Sequence, residues 1–254
     1  MIISFDVDGP LHGPAVVLLH SSVCDRRMWD AQYEALVEDG FRVVRPDFRT
    51  CGDSPAAQGP YSDDGDVVAL LDRLGIERAA LVGSSYGGRV ALGIAALHPD
   101  RVTRLALLCA GRPGHRPEGP EVREFGAAED ALLEAGDLEG AAALNARTWL
   151  GPDADEAAHA LVRAMQLRNF QGSVHLTEDH ELPEPDIDLA AVTAPTLAVG
   201  GAHDLPGFRR IAAELPALVP GARHLELPWA GHLPSLERPA EITDLLRKFL
   251  HPIR

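Results

Sequence analysis

The sequence predicts an α/β fold, a mostly parallel and doubly wound sheet with a small helical insertion. Three observations predict it. Short apolar runs alternate with amphipathic stretches at both ends of the chain, as right-handed βαβ crossovers require. Runs such as Ala15-Val16-Val17-Leu18-Leu19 are continuously apolar, the pattern of strands buried on both faces. Finally, Gly83-Ser84-Ser85-Tyr86-Gly87 matches G-x-S-x-G. It stands between a strand signal at 79–82 and a helical one at 86–97, stopped by Pro99.

Taken in order, residues 2–7 alternate and meet the turn signal Asp8-Gly9. The run at 15–19 ends in His20-Ser21-Ser22-Val23-Cys24. Helical spacing follows over 28–37, with Met28, Trp29, Tyr33, Leu36 and Val37 on one side. A strand over 41–44 leads to a polar loop holding Asp47 and Gly52-Asp53-Ser54. Residues 63–74 form a helix with Val67, Leu70, Leu71 and Leu74 on its inner stripe. The Ser85 unit comes next, then a strand over 105–109.

Near Arg112 the alternation breaks. Helical stretches are expected at 121–134, 138–150, 154–170 and 174–180, and Pro183-Glu184-Pro185 marks the exit. The segment 113–185 therefore reads as a helical cap over the sheet's carboxyl edge, inserted into a core made of 1–112 and 186–254. Beyond it, strands at 196–199 and 223–227 and helices at 209–219 and 237–250 resume the pattern.

Composition narrows the classes. With 254 residues the chain can bury a sizeable core without disulfides or metal. A formal net charge of −15 argues against a nucleic-acid partner. No apolar run approaches the roughly 20 residues of a membrane span, and no signal peptide is expected from Met1-Ile2-Ile3-Ser4-Phe5-Asp6. Cys24, Cys51 and Cys109 are odd in number and widely spaced, which fits a reducing cytoplasm.

A serine on a tight strand-to-helix turn points its hydroxyl off the sheet, and Cβ atoms at Gly83 or Gly87 would collide across that turn. The free N–H groups at the start of the next helix lie beside it. A serine needs a base to take its proton, and the base needs an acid to hold its tautomer. Loops at the carboxyl ends of the strands converge on one face. Three of them carry Ser85, Asp204 and His232, in that order along the chain.

On the His20-Ser21-Ser22 loop, Asp47 with Gly52-Asp53-Ser54, the Gly83–Gly87 turn, Gly200–Asp204 and Ala230-Gly231-His232, the chain resembles the α/β-hydrolase superfamily over nearly its whole length. The tail Gly231-His232-Leu233-Pro234-Ser235-Leu236-Glu237-Arg238-Pro239 is similar to that of capped esterases, enol-lactonases and haloperoxidase-like perhydrolases. The resemblance implies Ser85 as nucleophile, His232 as base and Asp204 as acid. Backbone N–H groups of Ser22 and Tyr86 would form the oxyanion hole. It implies no metal or organic cofactor and a small-molecule substrate, with no membrane partner and homo-oligomerisation left open.

The expected activity is cleavage of an ester, lactone or thioester of a small to medium, partly apolar substrate. Carbon–carbon hydrolysis, perhydrolysis and a non-hydrolytic binding or biosynthetic role on the same scaffold remain alternatives. Departures from the family are Ser21 where the loop usually has glycine, Thr50-Cys51 where glycine and an aromatic are frequent, and a shortened amino terminus that implies about seven strands. Ser21, Cys24 and Trp149 are expected at the substrate pocket. His20 is expected to hold its loop, and the run His175–Glu181 to be polar surface in preference to a metal site.

Overall fold

The computed structural model describes residues 3–173, 176 and 180–251. Seven strands form one sheet in the order β1-β3-β2-β4-β5-β6-β7. They are β1 (Phe5–Asp8), β2 (Ala15–Leu19), β3 (Arg42–Pro46), β4 (Ala79–Ser84), β5 (Val102–Leu108), β6 (Thr196–Gly201) and β7 (Arg223–Leu227). Only β1 is antiparallel, paired with β3. From β2 the chain steps outward to β3 and then crosses back to β4 on the other side. That reversal opens a crevice at the carboxyl ends of β2 and β4, where sites form in open α/β sheets.

Helices cover both faces. On one, α2 (Asp63–Arg73), α3 (Tyr86–Leu97) and α7 (Pro206–Leu218) pack Val67, Leu71, Ala91, Ile94 and Leu215 against Val17, Leu81 and Leu105. On the other, α1 (Asp30–Glu38) and α9 (Pro239–Leu250) bring Leu36, Ile242 and Leu246 against Val16, Val82 and Ala106. Successive residues of β2 and β4 thus feed opposite cores, as the period of two demands. Their apolar runs are continuous because neither face meets water.

Between β5 and β6 the chain forms α4 (Pro120–Glu134), α5 (Leu138–Trp149) and α6 (Glu156–Ser173). These bounds lie within a few residues of the helical periodicity. The stretch expected at 174–180 falls mostly outside the described residues. Asp137 caps α5 by accepting from the Gly140 N–H. The closing helix differs from expectation: Pro239 starts a new helix, so 237–250 splits into α8 (Pro234–Glu237) and α9. No helix among the described residues is long and apolar enough to cross a membrane.

Candidate active site

Ser85 sits between β4 and α3 at φ 52 and ψ −113, backbone that a non-glycine residue holds only under constraint. The constraint is a set of backbone bonds. Ser85 N–H donates to Leu108 O at 2.9 Å, Gly87 N–H to His20 O at 3.0 Å, and Gly111 N–H to Ser85 O at 3.0 Å. The flanking glycines are sterically required. A Cβ on Gly83 would lie 2.3 Å from Gly87 O, and one on Gly87 would lie 2.3 Å from Leu19 O.

Three side chains meet here. His232, on the loop after β7, places Nε2 2.7 Å from Ser85 Oγ. Its Nδ1 lies 2.7 Å from Asp204 Oδ2, on the loop after β6. An ionised carboxylate only accepts, so Nδ1 carries the hydrogen and Nε2 is left to accept from the serine hydroxyl. Asp204 is held in turn by Leu205 N–H, which donates to Oδ1 at 2.7 Å. All three residues are buried. The imidazole is flanked by the rings of Trp149, 4.7 Å away, and Phe208, 4.3 Å away. These walls shield the hydrogen bonds from water, which strengthens them.

Above Ser85 opens a cavity of about 630 Å³, with Ser22, Tyr86, Arg89, Gly111, Leu182 and Phe208 on its wall. Ser22 is exposed at its edge. Among the described residues neither Ser22 N–H nor Tyr86 N–H is bonded to a protein acceptor. His20 holds the Ser21-Ser22 loop in place. Its Nδ1 donates to Ser21 O at 2.7 Å and its Nε2 accepts from Phe48 N–H at 2.9 Å. This pattern needs a neutral ring, and burial lowers the His20 pKa accordingly.

The side chains expected at the pocket lie elsewhere. Ser21 is buried behind the wall, and its N–H contacts Met28 Sδ at 3.3 Å. Cys24 is fully buried in the core that holds Trp29 and Met28. Trp149 is not on that wall; its ring packs on His232 and Phe208, with the indole N–H donating to Asn145 Oδ1 at 2.9 Å. Burial raises the thiol pKa of Cys24, Cys51 and Cys109, which keeps all three protonated. Cys109, Asp204 and His232 stand close enough to share a metal ion, but the protonated thiol and the two occupied imidazole nitrogens suit the hydrogen-bond chain instead. Of the run His175–Glu181, His175 and Thr177–Asp179 lie outside the described residues.

Two contributors were not anticipated from the sequence. Phe208 sits at the start of α7 and closes one side of His232. Glu237, buried at the end of α8, accepts from Gly231 N–H at 2.8 Å and Leu233 N–H at 3.2 Å. The signal for Glu237 was present in the tail motif: an acid placed where a one-turn helix folds back on its own amino end.

The family model described as "Alpha/beta hydrolase family" matches residues 16–245. A protein of Variovorax paradoxus, named provisionally as a carbamate hydrolase, RutD, is 30% identical, with 98% of this chain and 96% of the relative covered. The enol-lactonase from Burkholderia xenovorans LB400 superposes with a TM-score of 0.77 at 30% identity, covering 98% of this chain and 96% of the other. A thermophilic esterase from Thermogutta terrifontis gives a TM-score of 0.80 at 28% identity, with 98% and 92% covered. A parallel sheet that reverses at the serine turn, and a family match spanning both the serine and the histidine, leave one assignment: the chain belongs to the alpha/beta hydrolase family.

Proposed function

We propose that the protein is a serine hydrolase of carboxylic esters, lactones or thioesters that works through an acyl-enzyme on Ser85. The observation that carries this is the unbroken chain from Ser85 Oγ through His232 to Asp204, with both links at 2.7 Å. His232 takes the Ser85 proton as the oxygen attacks the substrate carbonyl, and Asp204 steadies the imidazolium that forms. The tetrahedral oxyanion is received by the N–H groups of Tyr86 and Ser22, both free to donate toward the cavity. His232 then protonates the leaving group. In the second half it activates water to hydrolyse the acyl-enzyme and restores the Ser85 hydroxyl.

The names of the relatives support acyl chemistry: lactonase, esterase and carbamate hydrolase all describe attack at a carbonyl bearing a heteroatom. The helices α4–α6 and the segment through Glu184 serve as a cap. The cavity has room for a small to medium substrate, and Leu182 and Phe208 offer it apolar contact. No step calls for a metal or organic cofactor.

A panel of p-nitrophenyl esters of increasing chain length, with lactones beside them, tests the reading. Wild-type protein is expected to turn over at least one and to be labelled by a fluorophosphonate probe. Ser85→Ala is expected to lose both, with kcat falling by at least about 10⁴-fold. A folded wild-type protein that neither hydrolyses the panel nor takes the label overturns it.

A further inference from the structure

The loop that carries His232 is held by backbone bonds from an unusual source. Three consecutive N–H groups, on Gly231, His232 and Leu233, all find acceptors outside the sheet. Gly231 N–H lies 3.1 Å and 2.8 Å from the two oxygens of Glu237, and Leu233 N–H lies 3.2 Å from its Oε1. His232 N–H donates to Trp149 O at 2.9 Å, the last residue of α5. The same carboxylate packs against the backbone of Gly151, just beyond the end of α5. Glu237 is only 8% exposed, so water is not a substitute acceptor. Burial raises its pKa and the N–H groups of Gly231 and Leu233 oppose that rise.

Backbones touch where these segments meet. A Cβ on Gly231 would lie 2.4 Å from Gly151 N, and a Cβ on Gly151 would lie 2.4 Å from Glu237 Oε2. On its other side, a Cβ on Gly201 at the end of β6 would lie 1.9 Å from Gly231 O. The histidine loop is thus pressed between the core sheet and the α5–α6 joint of the insertion. One carboxylate satisfies the loop's Gly231 and Leu233 donors and packs on Gly151, while Trp149 O takes the His232 N–H.

We infer that Glu237 is a positioning residue for His232, and that it ties the placement of the base to the placement of the helical insertion. The inference rests on reading His232 as the base. Glutamine in its place has one acceptor oxygen and one donor NH₂. Gly231 N–H reaches both oxygens, so whichever way the amide turns its NH₂ faces that donor, and at the Oε1 position it faces Leu233 N–H as well; the loop is pushed off. A displacement on the order of 1 Å at a catalytic group lowers turnover on the order of 10²-fold.

The test compares Glu237→Gln, Glu237→Asp and Ser85→Ala on one p-nitrophenyl ester, with folding checked by circular dichroism. Glu237→Gln is expected to lower kcat by about 10- to 100-fold with KM within about threefold of wild type. Glu237→Asp keeps the charge and is expected to recover part of the loss. A folded Glu237→Gln whose kcat lies within about twofold of wild type overturns the inference. In that case an inactive Ser85→Ala leaves the proposed function standing, whereas an active Ser85→Ala overturns the function itself. Peptide-resolved hydrogen exchange on the wild-type protein supplies an arm that does not depend on any variant. The amides of 150–151 and 231–233 are expected to open together, and independent opening overturns the inference.

Discussion

At the scale of single residues, Asp204 makes the sharpest prediction. Its Oδ2 fixes the hydrogen of His232 on Nδ1. Asn in its place can present NH₂ to that nitrogen and favour the wrong tautomer, with Nε2 protonated and unable to accept from Ser85. Asp204→Asn is expected to lower kcat by about 10⁴-fold with KM little changed, measured by steady-state kinetics on the best ester. An Asn variant within tenfold of wild type removes Asp204 from the proton path. The sequence disclosed Ser85, Asp204 and His232 because each stands just beyond a strand end, and strand ends converge whatever the loops do. It did not disclose which neighbours turn toward the cavity. Ser21 faces inward, Ser22 outward and Cys24 inward again, a choice made by the His20 ring binding Ser21 O and Phe48 N–H, partners far apart in the chain. The Trp149 ring lies against His232, with Phe125 and Phe208 edge-on to it.

At the scale of elements, α2 and α3 are joined by a bond with a pH signature. Tyr86 OH donates to Asp63 Oδ2 at 2.6 Å. The second Asp63 oxygen is buried and has no partner among the described residues. Burial pushes the Asp63 carboxyl up to about 6, against the lowering effect of the Tyr86 hydrogen bond. A carboxyl raised above its unfolded value binds more protons in the folded state between the two values, so stability falls as pH rises through that window. The loss is complete above about pH 6 and on the order of 2–3 kcal/mol, at about 1.4 kcal/mol per pH unit of displacement. Asp63→Asn carries no charge there. Its stability relative to wild type, from urea unfolding, is therefore expected to increase from pH 4 to pH 7; a pH-independent difference refutes the assignment. Helix positions were legible from the apolar period of 3.6, and the buried strands from short continuous apolar runs between turn signals. Thr50 shows what was not. It holds φ 67, a left-handed angle unfavourable for a β-branched residue. The family resemblance marked the site as a departure from glycine, and the fold shows that Thr50 holds a left-handed angle there.

At the scale of the whole molecule, two of the insertion's contacts with the core bracket the site. One is the α5 end, where Trp149 O accepts from His232 N–H and Gly151 packs on Gly231. The other is Asn169 on α6, buried over the loops that follow β2 and β3. Its Nδ2 donates to Cys24 O at 2.8 Å, and its Oδ1 accepts from Gly52 N–H at 3.2 Å. Beside it Arg168 pairs with Asp53, which also binds Arg26. Exposed ion pairs of that kind contribute little, so the amide is the stronger tie. Asn169→Ala removes both halves and leaves Cys24 O and Gly52 N–H without a protein partner, each at about 1–3 kcal/mol. For a chain of this length 1 kcal/mol corresponds to about 2–4 °C in Tm, so a drop of several degrees is expected by calorimetry. The functional consequence follows from chain order. Residues 181–184 on the cavity wall come after α6, whereas Ser85, Asp204 and His232 are carried by the core. Loosening α6 is therefore expected to raise KM severalfold and leave kcat nearly unchanged, the opposite of the split expected for Glu237→Gln. Should Asn169→Ala lower kcat and spare KM, the two anchors are not independent, and the insertion acts on the base from both ends.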